Sequence, residues 1–101
     1  MKLDRNGYAP SIMQSEEECF ATKARDIKLD RHEIYFGTAN RKISKANGFW
    51  VWLTPALHNM TSIGVHFNRE FDLQLKTACQ RKFEESHTRE EFRALIGKSY
   101  L

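Results

Sequence analysis

The sequence predicts one small α+β domain, and three observations carry that prediction. Ile27 and Leu29 alternate with Lys28 and Asp30, a two-residue period that belongs to a strand. Phe49-Trp50-Val51-Trp52-Leu53 sets β-favouring or large apolar residues in an unbroken row, the composition of a well-buried strand. Further on the period changes, with Phe71, Leu75, Ala78, Cys79 and Phe83 recurring at helical spacing.

Each element then follows in order. Residues 1–15 mix Gly7, Pro10, Ser11 and Ser15 without periodicity and read as an irregular arm ahead of a single domain at 16–101. Cys19-Phe20 opens a short apolar element and 22–26 reads as a turn. The alternation through Ile27 and Leu29 then completes a β-hairpin that ends near Ile34-Tyr35-Phe36 and is broken by Gly37. The polar stretch 38–48, closing on the turn signal Asn47-Gly48, reads as a loop before the second strand. Thr54 is a helix cap with Pro55 at the first helical position, followed by Ala56-Leu57-His58-Asn59-Met60 and an interruption at Ser62-Ile63-Gly64. Asn68 caps a long helix over 69–85. Thr88 and Glu91 form a capping box for a last helix through Phe92, Leu95 and Ile96, ended by Gly97.

A chain of 101 residues, 41% apolar and 29% charged, can build one modest core and no second one. No apolar run approaches the roughly 18 residues of a membrane span. The start MKLDRNGYAP lacks a signal-peptide core, so a cytoplasmic location is expected. Cys19 and Cys79 are too few and too far apart for a disulfide framework. Thr22 stands where the second cysteine of a zinc knuckle would fall, so reduced thiols are expected. The net charge of +3 is unevenly placed: no Asp or Glu occurs from Ile34 to Asn68, where Arg41, Lys42 and Lys45 lie with His58 and His66. A segment cleared of carboxylates and carrying amines and imidazoles suits a phosphate backbone.

The histidine spacing allows a metal site, although a histidine taken singly is more often an ordinary surface or core residue. His32 ends the expected hairpin, His58 lies on the short helix, and the bend at Gly64 could fold His66 back beside His58. A divalent ion held by neutral imidazoles needs ligands converging from different elements, and these three bracket one strand and its flanking loops. His87 belongs to a charged helix terminus and reads as solvent-facing. Trp50 and Trp52 flank Val51, so their indoles share a face on which bases could stack, although core or interface anchoring is the commoner use.

Three segments together resemble the HNH endonuclease family, most of all its small phage and prophage members. They are Leu29-Asp30-Arg31-His32-Glu33-Ile34, the run from Trp50 to His58, and Gly64-Val65-His66, within about residues 19–68. The resemblance implies a ββα-metal core, a β-hairpin or two short strands and a helix around one divalent ion; the C-terminal helices over about 69–97 follow from the capping and periodicity above and carry no family motif. The implied activity is metal-dependent hydrolysis of DNA phosphodiester bonds. His32, His58 and His66 would ligate the ion (Mg²⁺, Mn²⁺, Ni²⁺ or Zn²⁺), His32 and Glu33 would be catalytic, and Arg41, Lys42 and Lys45 would hold phosphates. DNA is the implied partner, and a cutter this small acting on both strands would need two copies, so a homodimer is expected.

The departures from the family pattern are specific. Thr54 and Leu57 stand where many relatives carry zinc-binding cysteines, so apolar residues must hold the fold without zinc. Asn47 is nearest to the family's middle Asn, two positions early, with Asn40 more distant. The first pair reads His32-Glu33 rather than His-His, and two registers fit it. Either His32 is a ligand and Glu33 the general base, or His32 is the base and the ion is held by His58 and His66 with Asp30 or Glu33. Two other readings stand beside the nuclease: a degenerate relative that binds nucleic acid without cutting, and a small prophage structural or interaction protein whose histidines are scattered.

Overall fold

The computed structural model describes residues 3–60, Gly64 and residues 68–101, with backbone alone at 59 and 60. The apolar run becomes strand β2 (Trp50–Leu53), and its antiparallel partner is β1 (Asp30–Glu33). The two pair in the register Asp30–Leu53, Arg31–Trp52, His32–Val51 and Glu33–Trp50. Directly opposed side chains share a face, so the sheet has two distinct sides. One carries Asp30, His32, Val51 and Leu53; the other carries Arg31, Glu33, Trp50 and Trp52. The chain is thus a small α+β protein with a two-stranded antiparallel sheet and several helices.

The expected hairpin over 19–36 does not form. Lys23 and Asp26 adopt positive φ, bending the chain back so that the Cys19 carbonyl accepts from the Lys23 amide at 2.8 Å. Cys19 is thereby buried, and Phe20 meets β2 through one backbone bond, its amide donating to the Trp52 carbonyl at 2.8 Å. Ile27 is left exposed on this loop rather than inside a strand. The alternation at 27–30 marks only the approach to β1.

The stretch expected to be a loop is a helix, α1 (Thr38–Asn47). It joins the two strands and is closed by Gly48 at φ 75°, the left-handed cap whose amide donates to the Ser44 carbonyl. Asn47-Gly48 is therefore a helix stop and not a hairpin turn. Ser44 is fully buried, and its hydroxyl both accepts from the Tyr35 amide (3.1 Å) and donates to the Tyr35 carbonyl (2.7 Å). A small hydroxyl at that position lets α1 lie close to the chain leaving β1 while satisfying its backbone.

After β2, Pro55 opens a π-helical turn at Ala56–Met60 that carries His58. Thr54 fills its expected role, Oγ1 accepting from the Leu57 amide at 3.4 Å. Helix α2 (Arg69–Phe83) begins at the Asn68 cap, whose side chain accepts from the Phe71 amide. Helix α3 (Arg89–Ile96) has the full Thr88–Glu91 capping box and stops at Gly97. These two helices close the core on the Val51 side: Phe49 stands edge-on to Tyr35 (5.6 Å) and Phe83 (5.5 Å), and Tyr35 edge-on to Phe92 (5.3 Å). Cys19 and Cys79 are free, buried thiols in that core.

The N-terminal arm, though irregular, is bound to the Trp side of the sheet. The Trp50 indole N–H donates to the Ala9 carbonyl (2.8 Å), Ser11 Oγ to the Trp50 carbonyl (2.7 Å), and the Trp52 amide to Gln14 Oε1 (2.7 Å). Under the arm, the Arg31 guanidinium lies 4.3 Å from the Tyr8 ring and 4.8 and 4.9 Å from those of Trp50 and Trp52. Arg31 also pairs with Asp4 at 2.9 Å. No helix among the described residues is long and apolar enough to cross a membrane.

Candidate functional site

One cleft gathers the chemistry. It has a volume of about 420 Å³ and lies where β1, the start of α1 and the π-helical turn meet, with His32, Glu33, Arg41 and His58 among its walls. A larger hollow of about 730 Å³ runs along Arg69, Leu73 and Thr77 of α2, and its described lining contains no histidine.

His32 projects from the core side of β1 and is 1% exposed. Its ring meets that of His58 edge-on, with centroids 5.3 Å apart, and that of Phe36 at 5.9 Å. His58 reaches this point because the π-helical turn follows β2 directly, so that a strand and a wide turn deliver two imidazoles to one place. Such turns recur at functional sites because they displace a side chain from the regular helical position. Asp30, two residues before His32 and on the same face, lies with Oδ2 3.2 Å from His58 Nδ1. His66 lies outside the described residues. Among those described, no group of three or more His, Cys, Asp or Glu is placed to hold a metal ion.

Glu33 faces the other way. Its Oε1 accepts from Arg41 Nε at 2.6 Å and its Oε2 from the Tyr8 hydroxyl at 3.1 Å, and the residue as a whole is 8% exposed. Burial and the adjacent Glu33 carboxylate push the Tyr8 hydroxyl above its usual pKa, which keeps it a donor. The pair His32-Glu33 is therefore split by the pleat: the imidazole joins His58, and both carboxylate oxygens are engaged by Tyr8 and Arg41.

The three basic residues separate as well. Arg41 lines the cleft, whereas Lys42 is exposed and Lys45 packs its ammonium 4.8 Å from the Tyr8 ring centroid. Asn47 donates to the Ile43 carbonyl (2.9 Å) at the end of α1, and Asn40 to the Ile96 carbonyl (3.2 Å), so both amides tie α1 down. His87 is exposed and stacks on Phe83 at 4.2 Å. Tyr8 and Asp30 carried no strong signal of their own. Asp30 enters the sequence reading only as an alternative ligand within the family-like segment, and Tyr8 reaches the site across 25 positions of sequence.

The chain matches no family model, no curated protein and no solved structure.

Proposed function

We propose that the chain is a metal-dependent endonuclease that hydrolyses DNA phosphodiester bonds, as the HNH family it resembles does. The observation that carries the reading is the His32–His58 pair in the cleft with Asp30 on His58 Nδ1. A carboxylate on one ring nitrogen is the usual device for fixing a ligating histidine's tautomer, and it leaves Nε2 as the nitrogen that would ligate. In a ββα-metal arrangement of β1, β2 and the turn carrying His58, His58 together with His66 would hold a divalent ion. The chemistry supplied by such an ion is stabilisation of the negative charge building on the non-bridging and leaving 3′ oxygens of the phosphate.

The chain's own residues do the rest. Of the two registers, the geometry favours His32 as general base, because Glu33 is occupied by Arg41 and Tyr8. His32 takes a proton from the attacking water as its oxygen bonds to phosphorus. The bond from phosphorus to the 3′ oxygen breaks, and that oxygen is protonated by solvent, giving a 3′ hydroxyl and a 5′ phosphate. A neutral imidazole nitrogen can accept a proton from water, which suits this task. DNA is the proposed partner and two copies of the chain the proposed cutting unit.

Nicking of supercoiled plasmid after chelator stripping, with Mg²⁺, Mn²⁺, Ni²⁺ or Zn²⁺ restored, tests the reading. Wild type should nick, and His32→Ala and His58→Ala should each lose about 100-fold or more, the scale of a lost general base or ligand. No nicking with any ion overturns the nuclease. DNA retention on a gel shift without nicking would identify a non-cutting binder instead.

A further inference from the structure

Arg41 is the one basic side chain of α1 that reaches the cleft while remaining largely exposed, at 68% of its side-chain surface. An exposed arginine ordinarily spreads over many rotamers, which costs entropy when it binds anything. Arg41 is instead held through Nε by Glu33 Oε1 at 2.6 Å, and Glu33 is nearly buried. Glu33 in turn is anchored from its other oxygen by Tyr8, whose ring is packed against Trp50 and Arg31 beneath the arm. Only Nε is used, and the two terminal nitrogens of the guanidinium have no partner among the described residues. Paired terminal N–H groups held in one plane match two oxygens of a phosphate. The same cleft wall contains Gly37 and Thr38, where α1 starts with no side-chain cap and no acidic residue in its first turn.

We propose that Arg41 is a phosphate-binding residue of the cleft and Glu33 its positioning residue, so that Tyr8, Glu33 and Arg41 fix one phosphate of the DNA backbone beside the His32–His58 pair. This rests on the nuclease reading for the identity of the polyanion. It assigns Glu33 a role distinct from proton transfer, and it singles out Arg41 from Lys42 and Lys45.

Binding of a short fluorescent DNA duplex by the full chain in EDTA, followed by anisotropy across a salt series, tests it without catalysis. Arg41→Ala should weaken binding about tenfold and reduce the slope of log affinity against log salt by about 0.9, the value for one phosphate contact. Arg41→Lys should keep the slope and lose part of the affinity, because an ammonium cannot make the planar paired contact. Glu33→Gln decides the matter by its sign. Removing a negative charge should tighten DNA binding if Arg41 acts as a simple cation. Loss of positioning should instead weaken it, by about threefold or more on the scale of a charge-assisted bond. Tyr8→Phe, which keeps the packed ring, should weaken it in the same direction, and Glu33→Gln should add no weakening to Arg41→Ala. Tighter binding by Glu33→Gln, equal weakening in both backgrounds, or no duplex binding by wild type overturns the proposal. Absence of nicking with the coupling intact would sink the nuclease reading alone. Nicking without the coupling would sink only the positioning role.

Discussion

Cys79 shows how completely burial sets chemistry at a single residue of this chain. Its thiol is inaccessible in the core, and desolvation pushes its pKa up to about 12, against which the nearby Tyr35 hydroxyl works only weakly. A thiol that stays protonated is a poor nucleophile. Native protein at pH 8 should therefore react with an aromatic disulfide reagent at Cys79 only as fast as the molecule unfolds, and urea should accelerate the reaction in step with loss of structure. Rapid modification of Cys79 in the folded protein would contradict the packing. Other residues divide by the range of the contacts that define them. His32 and His58 can be picked out from the sequence because they bracket the apolar strand run and fall in the segments that resemble the HNH family. Ser44, Tyr8 and Arg31 could not, because a serine in a polar run or a tyrosine in an irregular arm acquires its role from partners far along the chain. Asp4 belongs with them: the Tyr8 amide and Arg31 hold its carboxyl at about 2.

Among elements, those with chemical punctuation were legible. Asn68, Thr88, Glu91 and Gly97 announce helix ends by capping chemistry that acts within one turn, and α2 and α3 begin and end where that chemistry requires. Helix α1 was not legible, because its sequence is polar nearly all round and buries a serine where a periodic pattern would show a large apolar residue. Asn47-Gly48 compounded the difficulty, since the same pair can turn a hairpin or stop a helix and only the tertiary contacts decide. Those contacts make Gly48 a sensitive position. A Cβ there would lie 2.1 Å from the Pro10 carbonyl oxygen, and its φ of +75° is unfavourable for any L side chain. Gly48→Ala should cost at least about 1–2 kcal/mol from the backbone conformation alone, with more from displacing the arm, as read by urea unfolding. An unchanged midpoint would mean that the arm does not pack against the end of α1.

At the scale of the whole molecule, the coarse class followed from hydrophobic period: two short strands and helices after them form an α+β protein. Strand partnership did not follow. The local alternation at 27–32 suggested a neighbour before it, whereas the strand that pairs with β1 is the fully apolar one beyond α1. Burial explains the outcome, because Val51 and Leu53 remove more apolar surface from water than the exposed Ile27 loop could. The arm then straps the opposite face, so that Arg31 and Glu33 are covered while Asp30 and His32 are turned towards His58. That partition puts Glu33 and its anchor Tyr8 behind the strand, while Arg41 reaches the cleft that His32 and His58 line, so the proposed phosphate and metal contacts share one cleft. Calorimetric titration of chelator-stripped protein with Mn²⁺, Ni²⁺, Zn²⁺ and Mg²⁺ tests this most directly. At least one of these ions should bind with a stoichiometry of about one per chain, with affinity about 10–100-fold weaker in Asp30→Asn and abolished in His58→Ala. Absence of binding by all four ions, or binding that His58→Ala leaves unchanged, would contradict the account.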